Sequence, residues 1–95
     1  MDLDNYKFKD LILDMSTGRE IEFNFKNSEY SITNFTNKDG EAYWQFDNNT
    51  ENKNIIICKV GQDDILIDFI EKLRIKDINL KDIFNNKIYT NLYIL

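Results

Sequence analysis

Apolar residues recur at two different periods along this chain, and the switches between them divide it into helical and extended segments. Phe8, Leu11, Ile12 and Met15 stand at i, i+3, i+4 and i+7, one apolar stripe on a helix of roughly residues 5–16. Asp4 or Asn5 is placed to cap its start, and Gly18 to end it. Asp10 and Asp14 then fall on the outer side of that helix, one turn apart, where like charges mildly repel. From Arg19 the period drops to two. Ile21, Phe23 and Phe25 alternate with Glu20, Glu22 and Asn24, the pattern of a half-buried antiparallel strand.

Asn27-Ser28 reads as a turn, followed by a strand over 29–36 with Tyr30 and Ile32 inward. Asp39-Gly40 is a hairpin signal, because both residues tolerate positive φ. A strand over 41–47 with Ala42, Trp44 and Phe46 on one face follows it. A polar loop from Asp47 to Asn54 precedes the run Ile55–Val60, whose unbroken apolar character predicts a central strand covered on both faces. Gly61-Gln62 breaks it, and Asp63 or Asp64 caps a second helix with Leu66, Phe69, Ile70 and Leu73 at helical spacing. Residues 80–84 form a short third helix closed by Asn85-Asn86, and Ile88–Leu95 alternates weakly, as an edge strand would. The prediction is a single α+β domain over residues 1–95. It is an antiparallel four-stranded meander with helices packed on one face, in the order α-β-β-β-β-α-α with a terminal strand.

Composition narrows the chemistry. The 95 residues include no His, no Pro and one Cys. That excludes imidazole metal sites, His-based triads, cysteine zinc clusters and intrachain disulfides. Ile, Asn and Lys sum to 37 residues while Ala occurs once; these three use A/T-rich codons, the mark of a low-GC genome, so the Asn-rich stretches are not read as chemistry. The formal charge is −5. Residues 1–50 hold ten acids and five bases, residues 51–95 seven of each, so the whole excess lies in the first half. A nucleic-acid backbone or an anionic membrane would want the opposite sign, and no apolar run approaches the ~18 residues of a membrane span. The N-terminus has no apolar signal region, so the reading is cytoplasmic, with Cys58 reduced.

No motif announces a reaction. Asp63, Asp64 and Asp68 form the densest acidic cluster, but acids at a helix start serve its N–H groups and dipole, and no converging ligands mark a cation site. The stretch from Asp47 superficially matches a calcium loop, yet Asn52 stands where Gly is required and Cys58 where Glu is. The three glycines are isolated, so no phosphate-cradling loop exists. Cys58 reads as a small buried hydrophobe, and Trp44 as a core anchor. The expectation is therefore no catalytic residue, no cofactor and no metal.

The sheet face opposite the core is the better candidate. It would carry Glu20, Glu22, Asn24, Ser31, Thr33, Tyr43 and Gln45, an open, polar, acid-bearing surface suited to docking a protein. Its competing reading is a plainly solvated face, common in antiparallel sheets. With Asp10 and Asp14 on helix 1, the candidate partner-binding set is Glu20, Glu22, Asn24, Thr33, Tyr43, Gln45, Asp10 and Asp14.

Gly18-Arg19-Glu20-Ile21-Glu22-Phe23, followed by Tyr30-Ser31-Ile32 and Trp44-Gln45-Phe46, resembles a group of small proteins from low-GC Gram-positive bacteria and their phages. These carry a GREIEF-like strand, a YSI-like strand and a late Asp-Gly-Lys-Ser/Thr-Leu-Lys-Glu-Ile-Trp helix. Residues 77–84 are a looser form of that helix, with Ile78 in place of Gly and Phe84 in place of Trp. The resemblance spans about residues 8–84, implies an α+β domain and transfers no catalytic residue. The leading functional expectation is a non-enzymatic protein-binding domain: a phage or mobile-element inhibitor of a host defence nuclease, of the anti-CRISPR type. It would act by occluding a basic nucleic-acid groove with acidic and aromatic side chains, without binding nucleic acid itself. Two alternatives stand beside it. One is an immunity or antitoxin-like protein aimed at a basic toxin. The other is a small carboxylate-dependent enzyme, which requires a concave pocket holding at least two of Glu20, Glu22, Tyr43 and Asp47. Monomer and homodimer both remain open, the latter through edge pairing of Ile88–Leu95.

Overall fold

A computed structural model describes residues 5–95. Helix α1 covers Phe8–Ser16; strands β1 (Ile21–Phe25), β2 (Ser28–Thr36), β3 (Ala42–Asn48) and β4 (Lys53–Lys59) follow. Helix α2 (Asp63–Lys72), a two-stranded ribbon of β5 (Arg74–Ile75) and β6 (Ile78–Asn79), helix α3 (Leu80–Asn85) and strand β7 (Thr90–Ile94) complete the chain. The α+β class and the single-faced packing of the helices stand as predicted. The main sheet has five antiparallel strands rather than four, in the order β4-β3-β2-β1-β7. The terminal segment does add an edge strand, pairing with β1 so that Ile94 meets Ile21 and Tyr93 meets Glu22.

One contiguous core lies between the sheet and the helices. Ile21, Phe23, Phe25, Tyr30, Ile32, Trp44 and Phe46 point into it from the sheet; Phe8, Leu11, Met15, Leu66, Ile70, Leu80, Ile83 and Phe84 meet them from the helices. Aromatic rings run through its middle. Phe84 sits edge-on to Phe23 at 5.2 Å, Phe23 stacks on Tyr30 at 5.6 Å, and Tyr30 on Phe46 at 5.8 Å. Such pairs contribute about 0.5–1.5 kcal/mol beyond their buried area. Three of the six residues of α3 have no exposed surface, namely Leu80, Ile83 and Phe84. That short helix is held by its packing, since a helix of this length is marginal in isolation.

The helix ends depart from expectation in instructive ways. Asp4 lies outside the described residues, and α1 starts later than Asn5. Its first free amides are met by Asp10, which accepts from the Lys7 N–H at 2.9 Å, and by Asn85, which accepts from the Phe8 N–H at 3.0 Å. The second contact ties α1 to the end of α3. At the other end Gly18 behaves as predicted: with φ +86° it lets its own N–H reach Met15 O and the Arg19 N–H reach Asp14 O, the pairing of a Schellman cap. Helix α2 is preceded by Gln62, not capped by Asp63 or Asp64, which sit in its first turn. In α3, Asn79 caps the start by accepting from the Lys81 N–H at 2.8 Å.

Three further expectations need correction. The β1–β2 turn is Lys26-Asn27, both at positive φ, with Ser28 already paired to Phe25; the two-residue loop demands a left-handed pair, and no glycine advertises it. The loop between β3 and β4 is shorter than the polar run suggests, since Asp47 and Asn48 pair with Asn54 and Lys53. Most important, β4 is an edge and not a central strand. The meander runs outward from β1 to β4 and β7 closes the opposite side, so Ile55 and Ile56 remain 52% and 58% exposed.

Candidate functional site

Alternation along the strands assembles the outer face. Register places Tyr93, Glu22, Ser31, Asp47 and Asn54 in one row across all five strands. A neighbouring row runs through Thr33, Gln45 and Ile56. No helical residue shares this side with them, because the helices belong to the core on the other. Of the predicted set, Glu20, Glu22, Asn24, Thr33, Tyr43 and Gln45 do come together here.

Asp47 organises the centre. It is only 8% exposed although it lies on the polar face. Its carboxylate accepts from Ser31 Oγ at 3.2 Å, Thr33 Oγ1 at 3.1 Å and Gln45 Nε2 at 2.7 Å. Asn49 Nδ2 extends the network to Ser31 Oγ at 3.2 Å and to Glu29 Oε1 at 3.3 Å. Charge-assisted hydrogen bonds of this kind satisfy a carboxylate that a sheet face would otherwise leave costly to bury. Thr33 and Gln45 are therefore committed to Asp47, and they form a fixed floor. The signal was present in the sequence: Asp47 continues the Tyr43–Gln45 phase by two residues.

The periphery is more open. A cavity of about 260 Å³ is lined by Glu22, Phe23, Asn24, Glu29, Asn91 and Tyr93, where β1 meets β2 and β7. The ladder between β1 and β7 shifts register between Glu22 and Asn24, and the irregularity opens the space. Glu22 has no hydrogen-bond or ion-pair partner among the described residues, and Glu29 has no cation. Asn91, Tyr93, Glu29 and Phe35 were not singled out from sequence. Phe35 shares the Ser31–Thr33 phase and stacks on Tyr43 at 5.8 Å, while Tyr93 comes from the weakly patterned tail. Of Glu20, Glu22, Tyr43 and Asp47, this cavity takes in Glu22 alone.

Two predicted residues are placed differently, and a third, Glu20, lies on the face but is spent on structure, its carboxylate accepting from the Asn34 N–H at 2.9 Å just before β1 begins. Asp14 is not on an outer helical surface. It is 7% exposed and accepts from the Tyr6 hydroxyl at 2.7 Å; burial and the adjoining carboxylate push the Tyr6 phenol well above its ordinary value. Asp10 caps α1 on the far side of the sheet from the other candidates. The helical side also carries lysines: Lys7, Lys9 and Lys81 border a groove with Glu71 and Asn85. Acidic residues lie on both sides of the molecule, since Asp63, Asp64, Asp68 and Glu71 belong to α2 and Asp82 to α3; the sheet face is set apart by the open site that Glu22 and Glu29 line.

Among the described residues, no group of three or more acidic or cysteine side chains is placed to hold a metal ion. Asp68 faces Lys72 at 3.0 Å. Cys58 is buried, and desolvation with the nearby Asp63 and Asp64 charges raises its thiol above the usual range. At the rim, Lys59 pairs with Glu41 at 2.6 Å, which lowers the Glu41 carboxyl and raises the Lys59 ammonium. Among the described residues no helix is long and apolar enough to span a membrane. No family model, curated protein or solved structure matches the chain. The functional reading therefore rests on the face itself.

Proposed function

We propose that this chain is a non-enzymatic protein-binding domain whose acidic sheet face docks on a basic, nucleic-acid-handling surface and occludes it, as an anti-CRISPR-type inhibitor of a host defence nuclease would. The observation that carries the reading is the pairing of Glu22 and Glu29, two carboxylates without a cation among the described residues, beside Tyr93 on an open face. Their partner is a group that supplies the positive charge. Arginine fits best, because its guanidinium meets carboxylates in fork geometry and lies on aromatic rings. The hydrogen-bonded floor around Asp47 supports the reading too: a face already rigid loses little freedom on docking. Duplex mimicry is not needed, since B-DNA carries about one charge per 1.7 Å and this face holds Glu20, Glu22, Glu29 and Asp47, with Glu41 at its rim already paired to Lys59.

The test is capture from a low-GC Gram-positive host that carries a defence nuclease. The native chain and its Glu22→Lys/Glu29→Lys variant serve as paired baits. The native chain should retain a basic nuclease subunit that competing duplex nucleic acid releases, and the variant should not. Retention of no nucleic-acid-binding protein, or equal retention by both baits, overturns the proposal. Retention of a basic toxin in its place moves the reading to immunity.

A further inference from the structure

We propose that the free edge of β4 is a self-association surface, on which a second copy of the chain adds its own β4 antiparallel about a two-fold axis at Ile55. This goes beyond the docking role of the outer face and does not depend on it.

The ladder shows which backbone groups are available. The Asn49 N–H donates to Glu29 O and the Asn37 N–H to Glu41 O, each at 2.8 Å, so the odd-numbered residues of β3 spend their main-chain groups on β2. Its even-numbered residues serve β4, as the Val60 N–H to Ala42 O bond at 2.9 Å confirms. In β4 the partners of those even positions are Lys53, Ile55 and Cys58. Asn54 and Ile56 therefore turn their N–H and C=O groups outward, and no described group meets them. The next outward amide, that of Lys59, is already taken by Gln62 Oε1 at 3.0 Å. The unprotected window is thus short and centred on Ile55.

Edge strands are normally guarded by lysines and bulges. Here both lysines are drawn aside along their own chain, Lys59 to Glu41 at 2.6 Å and Lys53 to Glu51 at 3.5 Å. A register shift lies beyond the window, opposite Trp44 and Gln45, so pairing stops there. That geometry favours a closed dimer over an open fibre.

The occupant follows from self-complementarity. With the axis at Ile55, each Asn54 meets the other copy's Ile56, and such a pair exchanges both N–H···O bonds. Ile55 lies against its own counterpart, burying side chains that are half exposed in one copy. Lys53 falls beside the bulged Ile57, at the limit of the window, and not beside another lysine. A partner strand of arbitrary sequence has no reason to match all of these. The contact is smaller than the about 800 Å² per partner of a standard interface, so the dimer should be concentration-dependent.

The test is sedimentation or light scattering across a concentration series. The native chain should move from single-chain to two-chain mass. Ile55→Lys sets like charges opposite each other across the axis and should remove the dimer, as should Ile55→Glu. An equimolar mixture of the two should restore it, because Lys then faces Glu. Asn54→Pro deletes an outward amide that an edge strand does not use and should also abolish association. Melting curves verify that each variant is folded, which the exposure of Ile55 favours. A single-chain mass at every concentration overturns the proposal. So does a dimer that survives Ile55→Lys but is lost on Tyr93→Lys, which would assign the association to β7.

Discussion

The Tyr6 hydroxyl donates to the Asp14 carboxylate at 2.7 Å, and both side chains are buried. This contact fastens the segment before α1 to the helix itself. Tyr89 reinforces it from the far end of the chain, its hydroxyl donating to Tyr6 O at 3.1 Å. Phe84 lies edge-on to the Tyr6 ring at 6.1 Å. Tyr6→Phe keeps the ring but leaves a buried carboxylate without its donor, a loss of about 1.5–3 kcal/mol. Urea denaturation should show the midpoint falling with an unchanged slope.

The same pair sets an alkaline limit. The Tyr6 phenol is raised in the folded chain above its ordinary value near 10. Its contribution is complete below the unfolded phenol's pKa. Above about pH 10 the unfolded chain releases that proton and the folded one does not. Stability then declines by up to about 1.4 kcal/mol per pH unit. A pH series of melting temperatures should bend downward above pH 10 in the native chain and bend less in Tyr6→Phe. Equal curvature in both would contradict the assignment.

Asp47 holds the polar face together as the aromatic rings hold the apolar one. Asp47→Ala removes the acceptor shared by Ser31, Thr33 and Gln45. The cost should be about 2–3 kcal/mol, because the hydroxyl donors lose a charged partner at a site with little water. Asp47→Asn should cost less, since its carbonyl oxygen still accepts. Amide exchange should speed up at the centre of β2 and β3 in Asp47→Ala before it does at β1.

Helix α3 ends on a residue ill suited to its place. Lys87 has φ +53°, and its N–H reaches Phe84 O while the Ile88 N–H reaches Ile83 O. This is a Schellman cap with lysine where glycine is preferred. Lys87→Gly should relieve about 1 kcal/mol of left-handed strain and raise the melting temperature by about 4–8 °C for a domain of this size. A fall would mean that the added flexibility of glycine outweighs the relief.

The period-two strands were legible because their two faces differ chemically: Ile21, Phe23 and Phe25 are buried while Glu22 and Asn24 are not. That alternation also located Glu22, Asn24, Thr33, Tyr43 and Gln45 on one surface. What it misjudged shares a cause, which is that neighbours in space were unknown. Ile55-Ile56-Ile57 looks the same whether a strand is covered or lies at an edge, and only the position of β7 decides. Asp14 stands three residues after Leu11, at the margin of the apolar stripe, and its burial depends on Tyr6, outside the helix. The turns at Lys26-Asn27 and Lys76-Asp77 adopt positive φ without glycine, so tertiary pairing sets their geometry.

Glu22 and Glu29 should prove separable from stability, which distinguishes a docking face from a merely solvated one. Neither takes part in an ion pair, and Glu22 has no hydrogen-bond partner among the described residues. Reversing both to lysine should shift folding stability by no more than about 0.5 kcal/mol, as for ordinary surface positions. Binding to a basic partner should nevertheless weaken by far more than that, and mainly through slower association at low salt. The native complex should lose association rate as salt rises, because the Debye length shrinks to about 8 Å at physiological ionic strength. The reversed variant should not follow that trend. Stopped-flow mixing at several salt concentrations reads both slopes. A shared slope would mean that the attraction arises elsewhere on the chain, and Glu41 and Glu51 at the β4 rim would then be the next carboxylates to reverse.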